Sequence, residues 1–216
     1  MLHSQKLFPS ITATLASTSI EALEQKIKAE RYVKMVQTLG INYPAIIVTD
    51  IEESLKFYER LGLRPLYIEP NRDDPESIVA MLYAGGGDTF VQLVGPRESN
   101  AVNIAAASPG VGSMQYLSFN ISLDQMNNMW DEMSRAGVQG SEQITRGYER
   151  IVFLEDPNGV LITLTAWGVE PPSGVPRALI LQRAASIRET EGAPYIEDQH
   201  VSSAIESVIA DLEKER

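Results

Sequence analysis

Residues Asn42 to Leu63, NYPAIIVTDIEESLKFYERLGL, decide the reading of this chain, because they encode a strand, a capped helix and a stop in one run. Ala45 to Val48 is short, apolar and rich in β-branched side chains, which suit the pleated surface of a sheet. Asp50 stands where a helix N-cap belongs, and Glu53 three residues later predicts a capping box that satisfies the free N–H groups of the first turn. Ile51, Leu55, Tyr58 and Leu61 recur at helical spacing, and Gly62 supplies the stop.

Further along, Arg64 to Glu69, Ser77 to Tyr83 and Thr89 to Val94 read as strands. Gly85, Gly86 and Gly87 join two of these strands. They do not open a helix and no lysine follows, so they are a turn and not a phosphate loop. After a linker over 96–112 the pattern restarts. Gln115 to Ile121 is a strand, Ser122 and Gln125 form a second capping box, and Met126, Met129, Trp130 and Met133 make a helical stripe ended by Gly137. A short strand is expected near Val138 to Gln143. Arg150 to Leu154 and Val160 to Thr165 then form a hairpin around the turn sequence Asp156-Pro157-Asn158-Gly159. Tyr43 and Tyr116, Gly62 and Gly137, and Gln92 and Thr163 recur at a near-constant offset, so one strand–helix–three-strand unit occurs twice.

The 216 residues suffice for a real core, and the net charge of −11 argues against a nucleic-acid backbone or an anionic membrane as partner. There is no cysteine, hence no disulfide, thiolate metal site or cysteine nucleophile. No apolar run approaches the roughly 18–20 residues of a membrane span, and a cytoplasmic location is expected. Residues 1–40 read as an N-terminal arm: a loose Ser/Thr/Ala-rich segment, for which a targeting role stays open, then a helix over Ser19 to Leu39. Residues 169–216 form a C-terminal extension with two helices, their apolar stripes at Leu179, Ile180, Leu181 and Ile187, and at Val201, Ala204, Ile205, Val208, Ile209 and Leu212. These stripes must pack on the chain's own sheet, over a pocket, or on a second subunit.

The duplicated unit and the stretches VTDIEESLKFYERLGL, FVQLVGP and LEDPNGVLITLTAW resemble the vicinal oxygen chelate superfamily of glyoxalase I, bleomycin-resistance proteins and extradiol dioxygenases. The resemblance spans Ile41 to Trp167. It implies an α+β fold of paired βαβββ modules, at 41–95 and 113–168, forming a curved mixed sheet whose concave face holds the ligand, with helical extensions at both ends. It also implies a homodimer as the usual assembly. Family metal ligands fall here on Tyr43, Gln92, Tyr116 and Thr163. Neutral phenols, an amide and a hydroxyl do not supply what a hard divalent ion or a 2-His-1-carboxylate iron site requires. The only histidines, His3 and His200, lie in the extensions. No metal and no other cofactor is therefore expected.

Period-two alternation places Phe90 beside Gln92, Ser118 and Asn120 beside Tyr116, and Trp167 beside Thr163 on inward faces. Aromatic rings interleaved with hydroxyl and amide groups suit an organic small molecule. Tyr43 and Tyr116 are the candidate catalytic donors. Gln92, Thr163, Phe90, Ser118, Asn120, Trp167 and Arg150 are the candidate substrate-binding residues. Arg146, Tyr148, Glu149 and Arg150 cluster near the cavity mouth, where a solvated hairpin entry is the alternative; Asp88 reads as a turn residue more readily than as a base. Two functions follow: a metal-independent lyase or isomerase of an oxygenated metabolite, or a non-catalytic drug- or metabolite-sequestering protein of the bleomycin-resistance type. A third reading is a vestigial cavity in a structural subunit.

Overall fold

In the computed structural model the first sheet is built from β1 (Ala45–Ile47), β2 (Arg64–Pro70), β3 (Ser77–Tyr83) and β4 (Phe90–Pro96), in the order β1-β4-β3-β2. The second contains β5 (Leu117–Asn120), β6 (Ile144–Arg146), β7 (Glu149–Glu155) and β8 (Leu161–Trp167), in the order β5-β8-β7-β6. In each, the first strand runs parallel to the last and the other pairs are antiparallel. The duplicated sequence thus folds into a duplicated topology of two four-stranded mixed sheets. The structure describes residue 38, residues 40–98 and residues 110–214. The expected helix over Ser19 to Leu39, Thr38 apart, lies outside them.

Helix α1 (Ile51–Arg60) begins where Asp50 Oδ1 accepts the Glu53 N–H at 2.9 Å. Glu52 and Glu53 near its start and Arg60 near its end complement the helix dipole. Ile51, Ser54, Phe57 and Tyr58 are its buried residues, whereas Leu55 is only half-buried. The buried stripe is therefore rotated from the expected one.

The second helix departs further from expectation. It is divided into α2 (Leu123–Asn127) and α3 (Met129–Ala136), with the reciprocal capping box of Ser122 and Gln125 present at its start. The break falls at Asn128, whose side-chain amide and backbone N–H both donate to the Asp124 carbonyl. Met126 and Met133 remain buried, but Trp130 is turned outward and is 67% exposed, so it does not belong to the core stripe. The strand expected over Val138 to Gln143 shrinks to one bridge, Gly140 to Leu154, and pairing begins in earnest only at Ile144. A Cβ on Gly140 would stand 2.6 Å from Leu154 Cδ2 and 2.7 Å from Met133 Sδ, so a larger residue there requires both side chains to shift.

One core serves both modules. Ile46, Leu82 and Leu93 of the first sheet and Val152, Ile162 and Leu164 of the second pack with Phe57, Tyr58 and Met126 from the helices. Each such large side chain stabilises the fold by about 1.5–3 kcal/mol on full burial. The C-terminal extension forms α4 (Arg177–Glu191) and α5 (Asp198–Lys214), which pack on each other. Their buried Ile180, Ala184, Val201, Ala204 and Ile205 cluster around Trp167 at the end of β8. The stripes pack on each other and on Trp167 and Tyr148 at one end of the second sheet, although Leu179 and Leu212 stay exposed. Among the described residues no helix is long and apolar enough to cross a membrane.

Candidate functional site

Alternation along the strands separates the core face from a far face turned away from it. Val91 and Leu93 point into the core, so Phe90, Gln92 and Val94 occupy the far face of β4; Ile162, Leu164 and Ala166 do the same for Thr163, Thr165 and Trp167 on β8. Register aligns Ala45, Gln92 and Met81 across the first sheet, and Ser118, Thr163 and Phe153 across the second. Tyr43 and Tyr116 lie two residues upstream of Ala45 and Ser118, just outside β1 and β5. The repeat therefore places both tyrosines equivalently, each one step beyond the row that contains Gln92 or Thr163.

The second module has the better-built patch. Tyr116 meets Phe153 edge-on at 6.1 Å, and Ser118 Oγ hydrogen-bonds Thr165 Oγ1 at 2.9 Å. Thr163, between them, is only 1% exposed, and its hydroxyl has no hydrogen-bond partner among the described residues. Buried hydroxyls are normally satisfied, and leaving one unpaired costs about 1–3 kcal/mol. In the first module Tyr43 is 38% exposed, Gln92 is half-buried, and Phe90 leans on Tyr83 at 6.2 Å.

Three expected site residues are engaged by the C-terminal extension. Arg150 pairs with Asp198 of α5 and also donates to the Gly147 carbonyl at 3.2 Å. The Trp167 ring meets Tyr148 edge-on at 5.3 Å and has the Arg177 guanidinium over it, 5.0 Å from the ring centroid. Asn120 Oδ1 accepts from Arg177 Nη1 at 2.8 Å. His200, buried in the same extension, accepts the Glu197 N–H at Nδ1 (2.8 Å), so its Nε2 carries the proton and donates to Glu191 (3.0 Å).

Sequence reasoning underrated two features. Glu149 occupies the far face opposite Trp167, and burial holds its carboxyl above the usual range despite the opposing effect of Arg146. Burial, reinforced by Glu149, also raises the Tyr148 phenol. Asp156, expected only to form a turn, is buried. It accepts the backbone N–H groups of Asn158 and Val160 and the hydroxyl of Tyr58, and Asn158 in turn reaches Ser54 and Thr49 of the first module. The DPNG turn signal is local and conceals this second role.

The donor set at Tyr43, Gln92, Tyr116 and Thr163 does not fit a resident divalent metal. No carboxylate or imidazole is among the four, and the described residues hold no cluster of three or more His, Cys, Asp or Glu able to bind one. A separate cleft of about 460 Å³ lies on the core-helix side, between the Gly62 end of α1 and α3, away from these residues.

Residues 40–164, more than half of the chain, match the family model of the Glyoxalase/Bleomycin resistance protein/Dioxygenase superfamily. The chain belongs to this family. No curated protein matches it. Among solved structures it is similar to SMU.1112c (19% identity, 60% of this chain and 99% of that one covered, TM-score 0.50). It is also similar to a glyoxylase/bleomycin resistance protein/dioxygenase domain from Frankia sp. EAN1pec (15% identity, 64% and 96% covered, TM-score 0.49). A third is a mutant of the fosfomycin resistance protein FosX from Listeria monocytogenes, complexed with Mn(II) and 1S,2S-dihydroxypropylphosphonic acid (12% identity, 59% and 92% covered, TM-score 0.46). The likeness to SMU.1112c concerns the fold alone.

Proposed function

We propose that the chain binds an oxygenated organic small molecule on the far face of its second sheet, through neutral hydroxyl donors and without a metal. The observation that carries this reading is the buried, unpartnered hydroxyl of Thr163, flanked by Ser118, Phe153 and Tyr116. Thr163 Oγ1 is closed to solvent in this structure, so a ligand oxygen pairs with it once a neighbouring side chain moves aside, and the rings of Tyr116 and Phe153 then supply apolar contact. Thr163→Val keeps the side chain's shape and removes that hydroxyl. It is expected to weaken ligand binding by roughly three- to tenfold while leaving the protein at least as stable. Unchanged affinity would remove the basis of the proposal.

A second reading, a metal-independent lyase or isomerase, is favoured by Glu149. A carboxyl raised by burial on the same face holds a proton more readily than a solvated one, as a general acid or base requires. In that reading Tyr43 or Tyr116 donates to a developing oxyanion, which needs no ionisation of the phenol, and Gln92 orients the substrate. Tyr43→Phe and Tyr116→Phe separate the two readings. For an enzyme at least one lowers kcat far more than it weakens binding; for a sequestering protein only affinity falls.

We also propose a homodimer. Leu66, Tyr67 and Ile68 are all exposed on β2, an edge strand. Two copies laid antiparallel about Leu66 and Tyr67 would place Arg64 of each opposite Glu69 of the other, a self-complementary arrangement. Light scattering that returned a monomer mass at all concentrations would contradict it.

A further inference from the structure

We infer that the C-terminal extension completes the ligand site, with Arg177 binding a carboxylate, so that the ligand is an organic acid. This rests on the far-face reading of the second sheet. Arg177 is the first residue of α4, yet both groups that hold it belong to the far face. Its Nη1 donates to Asn120 on β5, and its guanidinium lies over Trp167 on β8. Asn120 is aligned with Thr165, and Thr165 is bonded to Ser118. A continuous polar row therefore runs from Thr163 through Ser118 and Thr165 to Arg177.

Arg177 differs from the arginines that hold carboxylates and resembles Arg64, which lies over Tyr83. Arg150, Arg183 and Arg135 each hold a carboxylate, on Asp198, Asp211 and Glu132. Arg177 has two neutral partners and, among the described residues, no carboxylate within the 4.0 Å of an ion pair. It borders a cavity of about 320 Å³ whose other polar walls are Asn120, Ser122, Gln125 and Glu170. Glu170 is the one acid there, and its Oε1 is taken by the Leu123 N–H at 2.5 Å.

A guanidinium carries five donors in a plane, and one is used on Asn120. The cation–π contact with Trp167 and the bond to Asn120 hold the group in place and leave the remaining donors to meet a carboxylate as a fork. The chain's charge of −11 will not draw anions from a distance, so selectivity must come from this contact. A singly charged planar carboxylate suits it better than a phosphate dianion, which Glu170 would repel. The four-residue interval from Thr163 to Trp167 spans roughly 13 Å along the strand, which sets the ligand's reach.

The test uses the full chain and two probes, 4-hydroxyphenylacetate and its primary amide, with affinities measured by calorimetry. Wild type is expected to bind the acid at least about tenfold tighter than the amide. Arg177→Gln should abolish that preference by weakening the acid far more than the amide, while Arg177→Lys keeps part of it. Thr163→Val should weaken both probes alike and preserve the preference. The inference is overturned if wild type binds acid and amide equally, binds neither, or keeps its preference in Arg177→Gln. If Arg177→Gln removes the preference but Thr163→Val changes nothing, Arg177 binds the carboxylate and the far-face role of Thr163 is what fails.

Discussion

Tyr58 Oη donates to Asp156 Oδ2 across 3.0 Å, and this bond joins α1 of the first module to the β7–β8 turn of the second. Both residues are buried, and Asn158 in the same turn bonds Ser54 one helical turn before Tyr58. A few polar contacts inside a shared apolar core thus hold the two modules in one relation, on which any site spanning their equivalent faces depends.

Removing that hydroxyl should cost stability. Tyr58→Phe keeps the ring and is expected to lower unfolding free energy by about 1–3 kcal/mol, because the bond ends on a charged group. Burial, then the charge of Asp156 and the bond to it, raises the Tyr58 phenol. The folded state therefore retains the proton longer than the unfolded chain. The stabilisation is complete below about pH 10, the unfolded value, and is lost as pH climbs past it. Chemical denaturation from pH 8 to 11 should show wild type losing stability faster than Tyr58→Phe; parallel curves would contradict this.

Glu149 has the same sign at lower pH. Its carboxyl is raised by burial, so the ionised form is disfavoured in the folded state. Its contribution is fully present below the unfolded pKa of about 4.5 and is lost as pH rises through the folded value. Glu149→Gln should therefore raise the melting temperature at pH 7 and have a smaller effect near pH 4. A destabilised variant at pH 7 would mean that Glu149 makes a favourable charged contact instead.

The C-terminal helices bury Trp167 and Tyr148, so deleting residues 176–216 should expose a contiguous apolar surface. The expected outcome is aggregation, or a melting temperature lower by several degrees, at about 2–4 °C per kcal/mol lost for a chain of this size. A soluble truncation with unchanged melting would show the extension to be dispensable to the fold.

The backbone plan was legible because its signals are local. Ser77–Tyr83 forms a strand with the expected bounds, and Ser122 with Gln125 builds the expected cap, since alternation and capping require only near neighbours. Trp130 was misplaced because the helix expected to carry it inward is divided at Asn128, and Met126 and Met133 take the buried positions. Strand alternation correctly grouped Tyr116, Ser118, Thr163 and Thr165, but register lies beyond a single sequence. Gln92 faces Ala45 and Thr163 faces Ser118, each one step along the strand from Tyr43 or Tyr116. Arg177 left no trace in the motifs, because it reaches Asn120 and Trp167 from an extension outside the duplicated unit.

The central claim is a metal-free organic site around Thr163, and native mass spectrometry of protein isolated from its source tests it most directly. Wild type is predicted to carry an organic adduct that survives dialysis against a chelator, with no stoichiometric transition metal, and Thr163→Val prepared in parallel is predicted to carry much less of it. One zinc, iron, nickel or manganese per chain, lost to the chelator together with the adduct, would contradict the account.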